Sequence, residues 1–181
     1  MHGLLHERMA SNSIAANADA LEFVDFEPSL ADRFRALNME WLADFGVEPP
    51  DVAMFDDPYQ NIVKKGGAIL FARREGKVVA TCALLAVHER PGHFELGKMA
   101  VTSSQRGLGV GRRLLTHAIA RFKQLGGVDL HLETNSRLVP AIKLYESAGF
   151  KQVPRPDSAS IYARADVYMI YVDPSEVESP C

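Results

Sequence analysis

The sequence is poor in the features that mark secreted and membrane proteins. It has two cysteines, Cys82 inside an apolar run and Cys181 at the last position, so no disulfide framework is expected. No apolar run approaches the roughly 18 consecutive residues of a membrane span. The opening MHGLLHERMASNSIAANADA has neither a long apolar core nor a basic start, so it does not resemble a signal peptide. We therefore expect a cytoplasmic protein with a flexible leader over residues 1–19.

An excess of one charge is also missing. Twenty Lys and Arg against 23 Asp and Glu give a net charge of -3, which offers no electrostatic basis for binding nucleic acid or an anionic membrane. We expect neither as a partner. What is present is a globular composition, with 181 residues of which 47% are hydrophobic. This length suits one domain, placed at 20–174, with a short tail over 175–181.

The first third of the chain contains a strand pattern and two helix patterns. Alternation of apolar and polar residues predicts a strand over 21–27. A helix is expected to begin at a capping Ser29 and to end at Gly46. We predict a loop through VEPPDVAMFDDP and a short helix over YQNIVKK.

Residues 67–102 contain three apolar stretches, which the turn signals REGK and RPGH separate. Pro91 and Gly92 fit the central positions of a type II turn. This region therefore predicts an antiparallel meander.

The rest of the chain alternates helices and strands. A helix follows the meander and ends at Gly126, and a strand is expected over 128–134. SRLVPAIKLYESAGF predicts a helix that stops at Gly149, and 166–173 a final strand. The order predicts an α/β fold of the α+β type, with a mixed, largely antiparallel central sheet and helices on both faces.

The stretch QRGLGVGRRLL, residues 105–115, places three glycines where a helix is about to begin. Glycine costs roughly 1 kcal/mol relative to alanine in a helix, so three glycines need a reason. The unpaired amides and the dipole of a helix start form an anion site, and glycines let an anion approach them. A tight turn with close helix packing is the alternative, which explains one glycine well and three poorly.

The two standard nucleotide motifs do not fit this stretch. A P-loop needs a lysine and a hydroxyl residue after its last glycine, whereas Arg112 and Arg113 follow Gly111. A dinucleotide fingerprint fails on the spacing of the glycines.

A third pattern fits. Residues 106–111, RGLGVG, match R/Q-x-x-G-x-G/A and resemble the pyrophosphate loop of the GNAT superfamily of acyl-CoA N-acyltransferases. FELGKMAV at 94–101 resembles the strand before that loop, and ETN with LYESAGF, within 133–150, resembles the next block of the family. DVYMIYV resembles the last strand. The resemblance covers roughly 20–173 and is strongest from 94 to 150.

The resemblance implies a GNAT-like fold with acetyl-CoA as co-substrate and no metal. Backbone groups around Met99 to Val101 would pair with the pantetheine arm as an added strand. Asn135 would contact the cofactor where two strands splay apart, and Tyr145 would lie near the thioester sulfur. The implied cofactor contacts are Met99, Ala100, Val101, Arg106, Gly107, Leu108, Gly109, Val110, Gly111, Arg112, Asn135 and Tyr145.

Acyl transfer to an amine needs a base, because an alkylammonium is protonated at neutral pH. Glu95 and Glu133 both lie near the implied site, and either could instead be a solvated strand charge. We prefer Glu95, since members of the family often carry a base on this strand. Strand alternation puts Glu95 on the same face as Met99 and Val101, unless a bulge intervenes.

Tyr145 is the candidate acid that would assist the leaving thiolate, and a tyrosine packed in the core is the alternative. A backbone N–H near Met99 would meet the oxyanion. The triplet HLE at 131–133 resembles part of a zinc-deaminase motif, but no cysteine pair follows, so no metal site is expected.

These inferences predict an N-acetyltransferase that moves an acetyl group from acetyl-CoA to a primary amine. The alternatives are a non-catalytic acyl-CoA-binding sensor and an enzyme that acts on a protein lysine or N-terminus. A small-molecule amine is favoured over a protein, and a monomer and a homodimer are both open. Five acidic residues mildly favour a cationic acceptor, namely Asp44, Glu48, Asp51, Asp56 and Asp57.

Overall fold

The computed structural model describes residues 20–156 and 160–174. The predicted leader over 1–19 and the predicted tail over 175–181 lie outside the described residues. The strands are β1 (Leu21–Asp25), β2 (Ala68–Arg74), β3 (Lys77–Ala86), β4 (His93–Val101), β5 (Asp129–Thr134), β6 (Phe150–Gln152) and β7 (Val167–Tyr171). The helices are α1 (Ala31–Phe45), α2 (Pro49–Asp56), α3 (Val110–Gln124) and α4 (Val139–Ser147), with shorter helical turns at Pro28–Leu30, Tyr59–Val63 and Ser103–Gln105.

The seven strands form one sheet in the order β1-β2-β3-β4-β5-β7-β6. All other neighbouring strands pair antiparallel, and β4 with β5 is the one parallel pair among the described strands. That pair is parallel because α3 carries the chain back across the sheet between the two strands. The prediction of a mixed, largely antiparallel sheet is confirmed.

Alternate side chains of the strands enter two separate cores. On β2, Leu70 and Ala72 pack on the face that α3 and α4 cover, whereas Ile69 and Phe71 pack on the face that α1 and α2 cover. Helices therefore lie on both faces, as the sequence predicted. We call these the α3/α4 face and the α1/α2 face.

The predicted meander is present as β2, β3 and β4. Gly92 has φ of 80°, and the N–H of His93 donates to the carbonyl of Arg90 at 3.0 Å. These are the features of a type II turn with Pro91 and Gly92 at its centre, so that prediction is also confirmed.

Two local predictions were wrong, and one strand was not predicted. Ser29 is not a cap but lies inside the turn Pro28–Leu30, and Leu30 precedes α1 without a side-chain hydrogen bond. The loop expected through VEPPDVAMFDDP contains α2, whose two prolines occupy the first turn, where a missing N–H costs nothing. The N–H of Glu48 donates to the Asp51 carboxylate at 3.0 Å and fixes this helix start. Strand β6 was missed because three residues carry no readable alternation.

The longest helices of the described chain, α1 and α3, have 15 residues each. Among the described residues, no helix is both long and apolar enough to cross a bilayer.

Candidate functional site

The glycine-rich turn between β4 and α3 has left-handed backbone at two positions. Gly107 has φ of 77° and Gly109 has φ of 76°, a conformation that side chains with a Cβ rarely adopt. A Cβ at either position would meet nothing within 4 Å, so the space in front of the turn is open. Gly111 has a different role, since a Cβ there would lie 3.3 Å from Leu144. Each glycine thus has a backbone or packing reason of its own.

The start of α3 leaves its amides available. Gly109 is the N-cap and supplies no side-chain hydrogen bond, and the first turn has no acidic residue. The N–H of Arg113 is the first to bond within the helix, to the carbonyl of Gly109 at 3.1 Å. The amides before it in the helix have no intrahelical carbonyl to bind, and such amides at a helix start can bind an anion.

Strand β4 contains a bulge at Lys98, whose φ of 51° is left-handed. The register with β3 runs from Ala83 opposite Gly97 to Thr81 opposite Ala100, so two residues of β4 stand against Cys82 alone. Such a bulge turns the side chains that follow it to the other face of the sheet.

The bulge overturns the expected alternation. Met99 and Val101 pack on the α3/α4 face, where Gly111 brings the start of α3 within contact distance of both. Glu95 precedes the bulge and alternates with Phe94 and Leu96, which also face α3 and α4. Glu95 therefore lies on the α1/α2 face, opposite Met99 and Val101, and not beside them as the sequence suggested.

Strands β4 and β5 separate soon after they meet. They pair only from His93 opposite Asp129 to Glu95 opposite His131, although β4 continues to Val101. The stretch 97–101 therefore has no strand partner on its β5 side among the described residues. The resulting gap opens next to the start of α3, so an extended ligand in it would meet the glycine-rich turn at one end.

Tyr145 lies on α4 in the core beside this gap. It is 9% exposed and its ring meets Phe150 edge-on at 5.9 Å between centroids. Burial raises the pKa of its hydroxyl, which makes no hydrogen bond with the described residues.

Asn135 follows β5, and its side chain is already engaged. Its amide donates to the carbonyl of Arg164 at 2.5 Å, and its side-chain oxygen accepts from the N–H of Arg137 at 2.9 Å. In the structure this residue shapes the turn after β5 and attaches it to the segment before β7.

A group of titratable side chains lies on the α1/α2 face where β4, β5 and β7 adjoin. Glu95 is opposite His131, Glu133 is opposite Tyr168, and the rings of His131 and Tyr168 stack at 5.3 Å. The hydroxyl of Ser160 donates to Glu133. The structure thus brings the two predicted bases, Glu95 and Glu133, to the same face.

Glu95 and Glu133 differ in their surroundings. Burial raises the pKa of Glu95 to about 7; the positive charge of Lys98 opposes this rise and the negative charge of Glu133 adds to it. Burial also lowers the pKa of His131, which favours its neutral form. A carboxyl with a pKa near neutrality is suited to accept a proton at physiological pH.

A buried charge network that the sequence did not reveal borders the same face. Lys98 donates to Asp51 at 2.6 Å and to the hydroxyl of Tyr162 at 2.7 Å. Arg164 lies 2.8 Å from Asp51 and 3.1 Å from Glu48. Lys98 is buried in this ion pair, with 4% of its side chain exposed.

The network neutralises charges that the sequence seemed to offer a substrate. Burial would raise the pKa of Asp51, but hydrogen bonds from Arg164 and Lys98 outweigh it and hold the pKa below its usual value. Asp56 pairs with Arg35 at 3.1 Å. The expected acidic side that would favour a cationic acceptor is therefore largely compensated within the protein.

A pocket of about 510 Å³ opens at the β6–β7 end of the sheet. Its lining residues are Gln152, Val153, Pro154, Arg155, Asp166 and Tyr168. Tyr168 lies between the pocket and the titratable side chains on the α1/α2 face, because its ring stacks on His131 and its backbone pairs with Glu133. No group of three or more His, Cys, Asp or Glu within the described ranges could hold a metal ion.

Comparisons with known proteins agree with this geometry. The model of the Acetyltransferase (GNAT) family matches residues 34–150. An uncharacterized N-acetyltransferase of Schizosaccharomyces pombe is 32% identical over 128 residues, which cover 68% of this chain and 78% of the relative.

Solved structures show the same fold. A GNAT-family acetyltransferase from Staphylococcus aureus superimposes with a TM-score of 0.75 at 19% identity, over 84% of this chain and 98% of the other. A Bacillus subtilis acetyltransferase in complex with CoA superimposes with a TM-score of 0.64 at 20% identity, over 84% of this chain and 98% of the other.

Proposed function

The chain belongs to the GNAT family of acetyltransferases, and from that premise we propose that it transfers an acetyl group from acetyl-CoA to a primary amine by direct attack on the thioester. The observation that carries this proposal is the continuity of three features. The gap between β4 and β5, the uncapped start of α3 and the carboxyl of Glu95 adjoin one another along β4.

The residues present fit acetyl-CoA. The pyrophosphate would take the amides from Arg106 to Arg112, in front of which Gly107 and Gly109 leave open space. The pantetheine arm would lie along Met99, Ala100 and Val101, whose β5 side has no strand partner in the described chain. The Bacillus subtilis neighbour was solved with CoA, which supports this choice of co-substrate.

Glu95 is the base in this proposal. Exposing the lone pair of an alkylammonium costs about 4–5 kcal/mol at neutral pH, so a proton acceptor beside the amine is required. Glu95 has the raised pKa that this task needs. It lies on the α1/α2 face, from which the acceptor would approach. Glu133, the other candidate, is engaged by Ser160 and lies 3.9 Å from Arg155, so it suits holding the amine better than accepting its proton.

Tyr145 would assist the departing thiolate through a hydrogen bond. Its raised pKa makes it a weak acid, so full proton transfer to a thiolate is unfavourable, whereas hydrogen-bond donation is not. The N–H near Met99, where the bulge interrupts the β3–β4 ladder, would stabilise the oxyanion. Asn135 would act by holding the turn at the splayed end of β5.

The acceptor would be a small-molecule amine, in the cytoplasm, with a monomer or a homodimer as the active form. Cys82 is a buried free thiol, which a reducing compartment would preserve. A protein lysine or N-terminus is the alternative acceptor. A non-catalytic acyl-CoA sensor would give no role to the raised pKa of Glu95.

The test is a thiol-release assay with acetyl-CoA and a panel of small amines, peptides with a free N-terminus and lysine-containing peptides. We expect CoA release that depends on a small amine, with the N-acetyl product confirmed by mass spectrometry. CoA release with peptides but not with small amines would indicate that the acceptor is a protein lysine or N-terminus. Acetyl-CoA binding without release for any acceptor would support the sensor.

A further inference from the structure

Arg155 and Glu133 form a loose pair of opposite charges on the α1/α2 face. Their nearest charged atoms are 3.9 Å apart, and 24% and 15% of the two side chains are exposed. At this distance the two groups attract each other but make no hydrogen bond. Arg155 lines the pocket at the β6–β7 end of the sheet, and Glu133 lies beside Arg155.

The guanidinium of Arg155 is only partly used by the protein. One terminal nitrogen donates to the carbonyl of Ala165 at 2.9 Å. The other terminal nitrogen faces Glu133 at 3.9 Å and makes no hydrogen bond with the described residues. A guanidinium fork with unused N–H groups is suited to bind a carboxylate.

One carboxylate oxygen of Glu133 is available to a ligand. Its Oε2 accepts from the hydroxyl of Ser160, whereas its Oε1 is the atom that faces Arg155. An ammonium group beside Oε1 would find a negative charge that the protein has not fully compensated. The same ammonium would lie near Glu95, whose pKa responds to the charge of Glu133.

The distance between the two charges limits what they can bind together. They lie 3.9 Å apart, so a ligand that contacts both needs its ammonium and its carboxylate close together, as they are in an α-amino acid. The adjoining pocket of about 510 Å³, walled by Pro154 and Tyr168, has room for the side chain of such a molecule. Elsewhere on this face the positive charges of Lys98 and Arg164 are already taken by Asp51 and Glu48.

We propose that the acceptor is a free α-amino acid, whose carboxylate binds Arg155 and whose amino group lies between Glu133 and Glu95. This inference rests on the proposed function. In the reaction, the ammonium gives a proton to Glu95 and the nitrogen lone pair forms a bond to the acetyl carbon. The C–S bond of the thioester breaks and the thiolate leaves, while the nitrogen loses a second proton, which the thiolate takes up. The products are an N-acetyl amino acid and CoA.

The test compares amino acids with the amines that lack only the carboxylate. The pairs are phenylalanine and phenethylamine, leucine and 3-methylbutylamine, lysine and cadaverine, histidine and histamine, and serine and ethanolamine. The wild type should prefer the amino acid in at least one pair. In Arg155→Gln, the ratio of kcat/KM for amino acid over amine should fall by about 10- to 100-fold, the range for loss of a charge-assisted bidentate contact.

Two variants serve as controls. Arg155→Lys keeps the positive charge but lacks the two-pronged guanidinium. Its ratio of kcat/KM for amino acid over amine should lie between those of Arg155→Gln and the wild type. Arg35→Gln removes an exposed arginine that pairs with Asp56 on the surface, and it should leave the ratio unchanged. Equal kcat/KM for amino acid and amine in every pair, or the same ratio in wild type and Arg155→Gln, would overturn the inference while the proposed function stands.

A binding measurement distinguishes a failure of this inference from a failure of the proposed function. Saturation-transfer NMR with the same ten ligands should show an amino acid bound to the wild type and lost from Arg155→Gln. That result supports the inference even if no acceptor is acetylated, in which case the proposed function alone fails. Absence of binding and of turnover for all five amino acids would overturn it.

Discussion

The ammonium of Lys98 lies 2.6 Å from the carboxylate of Asp51, and 4% and 0% of their side chains are exposed. This pair joins the bulge of β4 to the first turn of α2. Arg164 and Tyr162 complete the connection from the segment before β7. The network therefore fixes three separate segments around the face that carries Glu95.

We expect Asp51→Asn to destabilise the protein by about 3–5 kcal/mol, because Lys98 and Arg164 would keep buried charges without a counterion. Urea unfolding measures this. Asp56→Asn is the matched control, since its pair with Arg35 is exposed and should be worth less than about 1 kcal/mol. Equal losses in the two variants would contradict a structural role for the buried network.

Glu95 should set the acidic limb of the pH profile. A base must be ionised to act, so kcat/KM should fall as the pH drops below about 7, and Glu95→Gln should lower turnover and remove this limb. Lys98→Met should move the limb to higher pH, and Glu133→Gln should move it to lower pH, because these charges oppose and add to the rise in pKa. A limb that none of the three variants moves would assign the base elsewhere.

The same raised pKa predicts a stability effect of opposite sign to that of most carboxylates. Between pH 4.5, the ordinary pKa of a glutamate side chain, and about 7, folded Glu95 keeps a proton that the unfolded chain has released. Stability from this group is therefore present at low pH and lost as the pH rises to about 7. Glu95→Gln should gain stability relative to wild type over that interval, and urea unfolding at several pH values would show it; a constant difference would contradict the raised pKa.

Gly109→Glu should abolish acetyl-CoA binding, because it would place a carboxylate where the pyrophosphate is proposed to lie. Gly109→Ala introduces the same strain at φ of 76° without the charge, so it is the matched control. Titration calorimetry should give measurable affinity for the alanine variant and none for the glutamate variant. Equal affinities would remove the argument for an anion site at the start of α3.

Tyr145→Phe should lower turnover and leave acetyl-CoA affinity within about a few-fold of wild type. The hydroxyl makes no hydrogen bond with the described residues, so its loss should cost little stability. Tyr59→Phe, at an exposed tyrosine, is the control and should change neither quantity. Full turnover in Tyr145→Phe would leave this residue with a packing role only.

The sequence predicted the elements whose signals are local. The Pro91–Gly92 turn, α3 with its stop at Gly126 and the meander each depend on neighbouring residues, and they were placed correctly. Helix α2, whose first turn contains two prolines, was predicted as a loop.

The faces of the site could not be predicted in the same way. One bulge at Lys98 separates Glu95 from Met99, and a bulge depends on the partner strand as much as on its own residues. The ion pair of Lys98 joins residues 47 positions apart, which no local pattern reveals. The pairing of Arg155 with Glu133 likewise needs the sheet to be assembled first.

The most direct test of the account is a calorimetric titration of the purified protein with acetyl-CoA, with adenosine 3′,5′-bisphosphate as the control ligand. We predict one site per chain, with binding that needs the pantetheine arm and is much weaker for the control. No binding of acetyl-CoA would contradict the account, since the gap beside β4 and the open turn before α3 would then hold neither part of the co-substrate.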